Sequence, residues 1–567
     1  MGVPGFFAWL LKQNKHNNII INQTKQIDCL YLDANCLFHP KCFDILKLYP
    51  GETNVDTLEK LMIKRIIAYI DYLIRFTNPT TLIYIAVDGV APLAKINQQR
   101  KRRYKSIIDN KMRSDLQAKH NIKGNNSWSN IVITPGTEFM KKLDAELEKL
   151  SKLNNKSNNL DNKSSNLDNK SNPKFIYSSY KEEGEGEHKI IQYIKDNYSG
   201  KDLNHVIYGL DADLIFLSLT LKNYNVNNIF LLREEQHLKN IPHKLEIDNV
   251  AEQLCFVSIE NTVKTYNEYI CDKINQEYSD VIDINFANID YCNDFIILCF
   301  LLGNDFLPHF PSVDIKIYGI DYIINAYIKA FSFNQKLLFD FKTFQLDYNF
   351  FEMILYELSL TEDEFFTTQL PKYKHRMEMR KPFGDSAYEK ELFLIENLKT
   401  IKISDPIMLG RDVPENWKYR YYEHYFNTKT EQNTMIKKIC EHYMDMFIWN
   451  IKYYFDKVPS WRLQYEFNHA PFISDLYKII NKNKDKHFNI KDKFNIKDYP
   501  LSIENQLLAV IPPQYLNLQS ERNKNKMKDI KYKFMFPIEI ELDYINKDQL
   551  WKCEPLMPII DIELLEE

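Results

Sequence analysis

The chain has 567 residues, a formal net charge of −4 and 44% apolar residues. That length exceeds one ordinary core, so at least two domains are expected. The near-neutral balance excludes a uniformly electropositive protein, and any grip on a polyanion must be local. Nine cysteines with no Cys-x-x-Cys pair argue against structural zinc and for a reducing compartment. No secretory leader or membrane-length apolar run is visible, so a soluble intracellular protein is expected, without a membrane.

From the amino end to about residue 340, short apolar runs alternate with amphipathic ones, the rhythm of an α/β sheet. The pattern predicts strands over Cys29–Asp33, Thr81–Asp88, Ile131–Thr134, Phe175–Ser178, His205–Leu210, Asn228–Leu232 and Cys255–Ile259. They are apolar on both faces, as strands between two helix layers are. Helices are predicted over Leu58–Phe76, Thr137–Leu153, Glu187–Asn197 and Asn293–Leu302. Residues 154–173 interrupt the rhythm with a repeated Asn-Leu-Asp-Asn-Lys-Ser, a polar low-complexity insertion expected to be disordered. Beyond the first region the chain is richer in aromatics. Trp417–Tyr422 and Ile451–Tyr454 read as helical, and the Lys/Asn-rich stretches 481–497 and 519–531 read as loops. The expected division is an α/β region over 1–340 and a mainly helical region over 341–567 that packs against it and completes a pocket.

Acids sit at the ends of apolar runs. Asp33, Asp88 and Asp211 follow predicted strands, where open α/β sheets collect their chemistry. Asp213, Asp305, Glu185 and Glu187 complete the set. A lone Asp after a strand is more often a helix cap or turn residue. Seven acids from five segments point instead to shared neutralisation by hard divalent cations, Mg²⁺ or Mn²⁺. Two such ions side by side cut phosphodiesters. Glu185/Glu187 and Asp211/Asp213 are each two apart, a spacing that aligns side chains in extended chain.

A basic segment follows Asp88. On a helix, Lys95, Gln99, Arg102 and Arg103 share one face and offer an ammonium, an amide and two guanidiniums to a terminal phosphate. The bland alternative is a solvated basic helix. His39 and Trp461 are aromatic candidates for stacking on a base; each alone reads as packing.

These segments resemble the Xrn-type 5′-to-3′ exoribonucleases. The resemblance is carried by Met1–Phe7, Leu32-Asp33-Ala34-Asn35, Val87–Pro92, Asn97–Arg103, Ile133–Met140, Gly184–Ile190, Tyr208–Ile215, Leu302–His309, Val458–Trp461, His469–Asp475 and the closing Trp551…Leu556…Pro558–Asp561, in the family's order. It implies a PIN/flap-nuclease-like α/β fold with a mostly parallel central sheet. It implies two Mg²⁺ or Mn²⁺ ions on Asp33, Asp88, Glu185, Glu187, Asp211, Asp213 and Asp305. It further implies a 5′-monophosphate pocket of Lys95, Gln99, Arg102 and Arg103, and a base clamp of His39 and Trp461. The implied activity is processive release of nucleoside monophosphates from the 5′ end of single-stranded RNA. The implied setting is a cytoplasmic monomer, with decapping enzymes or helicases as partners. Leu93 and Leu463 depart from the family's usual Arg and Trp, and the chain looks like a minimal catalytic core. The rival readings are a flap-endonuclease-like DNA nuclease and an inactive RNA-binding protein. The first lacks a use for the basic run; the second predicts lost acids, and none is lost.

Overall fold

The computed structural model describes the chain except residues 1–4, 14–17, 123–127, 162–171, 236–250, 279–288, 430–431, 483–489, 491–492 and 495–496. Its centre is a seven-stranded sheet in the order β1-β7-β6-β5-β2-β3-β4. The strands are β1 (Ile20–Ile21), β2 (Cys29–Asp33), β3 (Leu82–Ala86), β4 (Lys174–Ser178), β5 (His205–Tyr208), β6 (Ile229–Glu234) and β7 (Leu254–Ser258). The run β6-β5-β2-β3-β4 is parallel, and β7 and β1 pair antiparallel at one edge. This is the mostly parallel α/β sheet that the alternating rhythm predicts. In register, Leu32 stands opposite both Ile85 and Tyr208, so β5, β2 and β3 end side by side.

Successive residues of β2 face opposite layers. Cys29 and Tyr31 enter one apolar core, and Leu30 and Leu32 enter another. The second core is closed by α2 (Ala34–Leu48), α3 (Val55–Thr77) and the start of α5 (Glu138–Asp161). Helix α3 begins where the Asn54 side chain accepts from Thr57 N, and ends at Asn78 in the left-handed region. Helix α4 (Leu93–Lys119) leaves the sheet from the β3 side. The first core takes α1 (Phe6–Gln13), α6 (Gly186–Tyr198), α7 (Asp213–Thr220), α8 (Ile259–Tyr278) and α9 (Cys292–Cys299). It continues without a break into α10 (Gly319–Asn334), α11 (Tyr348–Glu364), α13 (Gln432–Phe455) and α14 (Ile473–Lys482). Helix α12 (Pro414–Phe426) and α15 (Ile503–Val510) anchor smaller clusters. The part beyond residue 340 is mainly helical.

Several local expectations change. Ile131–Thr134 is not a strand; a 3₁₀ turn spans Asn130–Val132, capped by Ser129 accepting from Ile131 N. Its four apolar and β-branched residues are too few to tell a strand from a buried turn. Helix α5 runs to Asp161, so the first part of the polar insertion is helical, and residues 162–171 lie outside the described set. Glu521–Lys528 is helical rather than loop, started by Ser520 accepting from Asn523 N. Of 481–497, most lies outside the described residues. No described helix is long and apolar enough to cross a membrane.

Candidate active site

Asp33 is the last residue of β2, and Asp88 and Asp211 fall just beyond β3 and β5. The paired acids are not on extended chain, as their spacing suggested. Glu185 is the N-cap of α6 and Glu187 lies in its first turn; Asp213 opens α7, with Asp211 in the loop before it. Helix N-termini offer unpaired N–H groups and the positive end of the helix dipole, which lets carboxylates gather there. Gly186 N donates to Asp88 Oδ1 at 2.6 Å. A Cβ on residue 186 would lie 2.9 Å from Asp33 Oδ1 and 3.3 Å from Asp88 Oδ1, so only glycine lets α6 come this close.

The seven acids form one electrostatic group. Asp33 feels Asp88, Asp211 and Glu185; Glu187 feels Glu185, Asp211 and Asp213; Asp213 feels Asp305. Burial, then neighbouring acids, holds Asp33 and Glu187 well above the usual carboxylate range. Burial pushes Asp88 and Asp213 up to about 6. Asp305 goes the other way: burial opposes ionisation, but the adjacent Lys95 ammonium and further cationic charge, Arg102 included, together outweigh it. Lys95 is 6% exposed, and its Nζ lies 2.6 Å from Glu185 Oε1 and 2.8 Å from Asp305 Oδ2.

Lys95 bridges two of these acids, yet lone pairs in the group stay unmet. Asp33 Oδ1 and Glu187 Oε2 are buried without a hydrogen-bond partner, in residues only 4% and 6% exposed. Orphaned carboxylate oxygens in a converging set fit a hard divalent cation, which supplies what the protein does not.

The basic face borders this group. Arg102 is exposed and its charge acts on Asp305; Arg102 and Arg103 both act on His39, as does Asp211. Arg103 spends its Nη atoms weakly on Ile131 O and Ile133 O at 3.5 and 3.3 Å. Arg103 Nε and Gln99 Oε1 are buried without partners. Burial pushes Arg103 down to about 9, still cationic at neutral pH. Arg100, in the same run, is different: it is 1% exposed and donates to Pro558 O and Met535 O, so it fastens the carboxyl-terminal segment to α4. Lys95 differs from Arg102 and Arg103 in giving its charge to the acids.

His39 and Trp461 are both half-buried, and neither ring contacts another aromatic ring among the described residues. Trp461 O accepts from Leu93 N at 2.8 Å, which ties the Trp461 loop to the start of α4. Burial, then Arg103 and Arg102, pushes His39 down to about 4, so its ring is neutral at pH 7. Leu93 is 1% exposed and packs with Val90 and Ile96, so it is core rather than the rim of a phosphate pocket.

Two family models match most of the chain. One, described as the XRN 5′-3′ exonuclease N-terminus, matches residues 1–235; the other, the Xrn1 helical domain, matches 284–403 and 394–567. The chain belongs to the Xrn 5′-3′ exonuclease family. Its relatives include a 5′-3′ exoribonuclease 2 homolog of Drosophila melanogaster, 27% identical over 99% of this chain and 70% of that protein. The 5′-3′ exoribonuclease 1 of Saccharomyces cerevisiae is 25% identical over 100% of this chain and 43% of its own length. The human 5′-3′ exoribonuclease 1 is also 25% identical over 100% of this chain, which spans 34% of that protein.

Within this Xrn chain, sequence reasoning missed the groups that hold the acids. Asn35 Nδ2 donates to Asp88 Oδ2 and Cys36 Sγ to Asp33 Oδ2, each at 2.7 Å. From α13, Tyr453 OH donates to Glu185 Oε2 at 2.5 Å and Tyr454 OH to Asp213 Oδ1 at 2.9 Å. Asn35 lay inside a quoted motif and Cys36 directly after it, but nothing in the order of residues joined position 453 to position 185.

Proposed function

We propose that this chain is a metal-dependent, processive 5′-to-3′ exoribonuclease acting on single-stranded RNA with a 5′-monophosphate and releasing nucleoside monophosphates. The observation that carries the reading is the single buried group of acids, with orphaned oxygens, bordered by a cationic face. The regions over 1–340 and 341–567 both contribute: the first brings the acids and the cationic face, the second Trp461 and the two tyrosines.

Asp33, Asp88, Glu185, Glu187, Asp211, Asp213 and Asp305 would hold two Mg²⁺ or Mn²⁺ ions. Such ions lower the pKa of bound water and offset charge on the leaving 3′ oxygen. The residues of the chain do the rest. Gln99, Arg102 and Arg103 bind the terminal phosphate, with Lys95 between phosphate and acids as a shared counter-charge. A monophosphate satisfies the unpartnered Arg103 Nε, and the half-buried setting of Arg103 leaves little room for a cap or triphosphate. His39, neutral at working pH, and Trp461 stack on the first base, a mode that suits an unpaired strand. The chain works as a cytoplasmic monomer, fed by enzymes that leave 5′-monophosphates.

The test is digestion of one RNA bearing monophosphate, triphosphate, hydroxyl or capped 5′ ends, with a flap DNA alongside. Mononucleotides should appear from the monophosphate alone, stop with EDTA, and be lost in the Asp211→Ala/Asp213→Ala double variant while RNA binding persists. Equal rates on all four ends, or preference for the flap, would overturn the proposal.

A further inference from the structure

Among the described residues, one group of potential metal donors includes a nitrogen: a carboxylate oxygen of Glu185, one of Glu187 and a ring nitrogen of His188 lie within 4.8 Å of one another. His188 follows the second of the paired acids in the first turn of α6. Its Nε2 lies 3.3 Å from Tyr453 O. A carbonyl only accepts, so Nε2 carries the proton and Nδ1 is left with a lone pair. That Nδ1 is buried and has no hydrogen-bond partner, and neither has Glu187 Oε2. A carbonyl holding one ring nitrogen, so that the other is left deprotonated, is the usual outer arrangement of a metal-bound histidine.

Tyr453 also fixes the ring through its side chain and reaches the neighbouring acid. Its own ring packs on the imidazole with centroids 3.8 Å apart, and its hydroxyl holds Glu185 Oε2. One residue of α13 thus orients both the histidine and the neighbouring acid. An imidazole locked in place, with one nitrogen capped and the other buried and unsatisfied, costs free energy unless something binds it.

We propose that His188 Nδ1 is a metal ligand, joining Glu185 and Glu187 in one seat, so that this seat takes Mn²⁺ in preference to Mg²⁺. The inference rests on reading the acid group as the metal centre and adds a nitrogen donor to it. An all-oxygen set suits Mg²⁺, which holds its waters tightly; one imidazole shifts preference toward later first-row divalent ions.

The experiment uses the full chain, stripped with EDTA and reloaded with Mn²⁺ alone. Pulsed EPR of the bound Mn²⁺ should show ¹⁴N coupling. In His188→Asn, which puts an amide where the ring was, the coupling should vanish. Calorimetry should then find Mn²⁺ bound about tenfold or more weakly, with Mg²⁺ affinity nearly unchanged. Thermal unfolding checks that the variant is folded, and the parent's EPR signal decides the matter even if it is not. Bound Mn²⁺ without nitrogen coupling in the parent would overturn the His188 assignment and leave the acid centre standing. No bound Mn²⁺ at all would sink the metal-centre reading itself.

Discussion

Metal binding should weaken steeply with acid. Asp88 and Asp213, pushed up by burial to about 6, are protonated in the metal-free chain below that pH. A cation binds carboxylates, not carboxylic acids, so each group must lose its proton first and affinity rises with pH. A group titrating at about 6 is about tenfold less ionised at pH 5 than at pH 7. Two of them weaken binding about a hundredfold over that span, or about 2.7 kcal/mol. Asp33 and Glu187, also held well above the usual carboxylate range by burial, steepen the dependence. Asp305 does not contribute, because Lys95 and further cationic charge keep it ionised throughout. The assay is calorimetric titration of the EDTA-stripped chain with Mg²⁺ from pH 5 to 7.5, in buffers of different ionisation enthalpy that count released protons. Asp88→Asn should remove one proton from the count. Equal affinity across the range, with no protons released, would refute the electrostatic account of the cluster.

Other outcomes follow from single contacts. Gly186→Ala should fold with a loss of about 1–3 kcal/mol, and cut turnover about a hundredfold or more by moving α6 off the acids; wild-type turnover would show that the close approach is not needed. Tyr454→Phe removes one hydrogen bond to Asp213, lowers stability by about 1 kcal/mol and lowers Mg²⁺ affinity; calorimetry reads the second effect, which loss of stability alone would not produce. Arg100→Ala should cost about 2–4 kcal/mol in thermal unfolding by removing a buried guanidinium and orphaning the carbonyls of Met535 and Pro558, without changing preference among 5′ ends. Arg102→Ala, at an exposed site, should do the reverse, raising KM for monophosphorylated RNA with little change in melting temperature.

The sheet was legible because its strands are apolar on both faces and bounded by polar turns; six of the seven sheet strands fall on predicted runs, and only the two-residue β1 does not. Asp33, Asp88 and Asp211 were legible because each follows such a run, and the other four because they add to the same set of acids. Their geometry was not. The spacing of Glu185 and Glu187 suggested an extended segment, whereas Gly186 begins a helix, and two residues cannot distinguish the two. Helix α2 was hidden because it starts directly on Asp33 and contains Pro40, which locally argues against a helix. Arg100 and Arg102 read alike in sequence, yet one is buried on backbone carbonyls and the other faces solvent, a difference set by the carboxyl-terminal segment more than 400 residues away. His188 and the tyrosine pair belong to the same class: their roles exist only through contacts between distant parts of the chain.

The reach of Tyr453 and Tyr454 into the acids has a temporal side. Synthesis proceeds from the amino end, and all seven acids have been added by residue 305, whereas the two phenols that steady Glu185 and Asp213 come about 150 positions later. A growing polypeptide therefore holds all seven acids before the two phenols that steady Glu185 and Asp213 have been added. Completion of the site thus waits on Tyr453 and Tyr454, however early its acids are made.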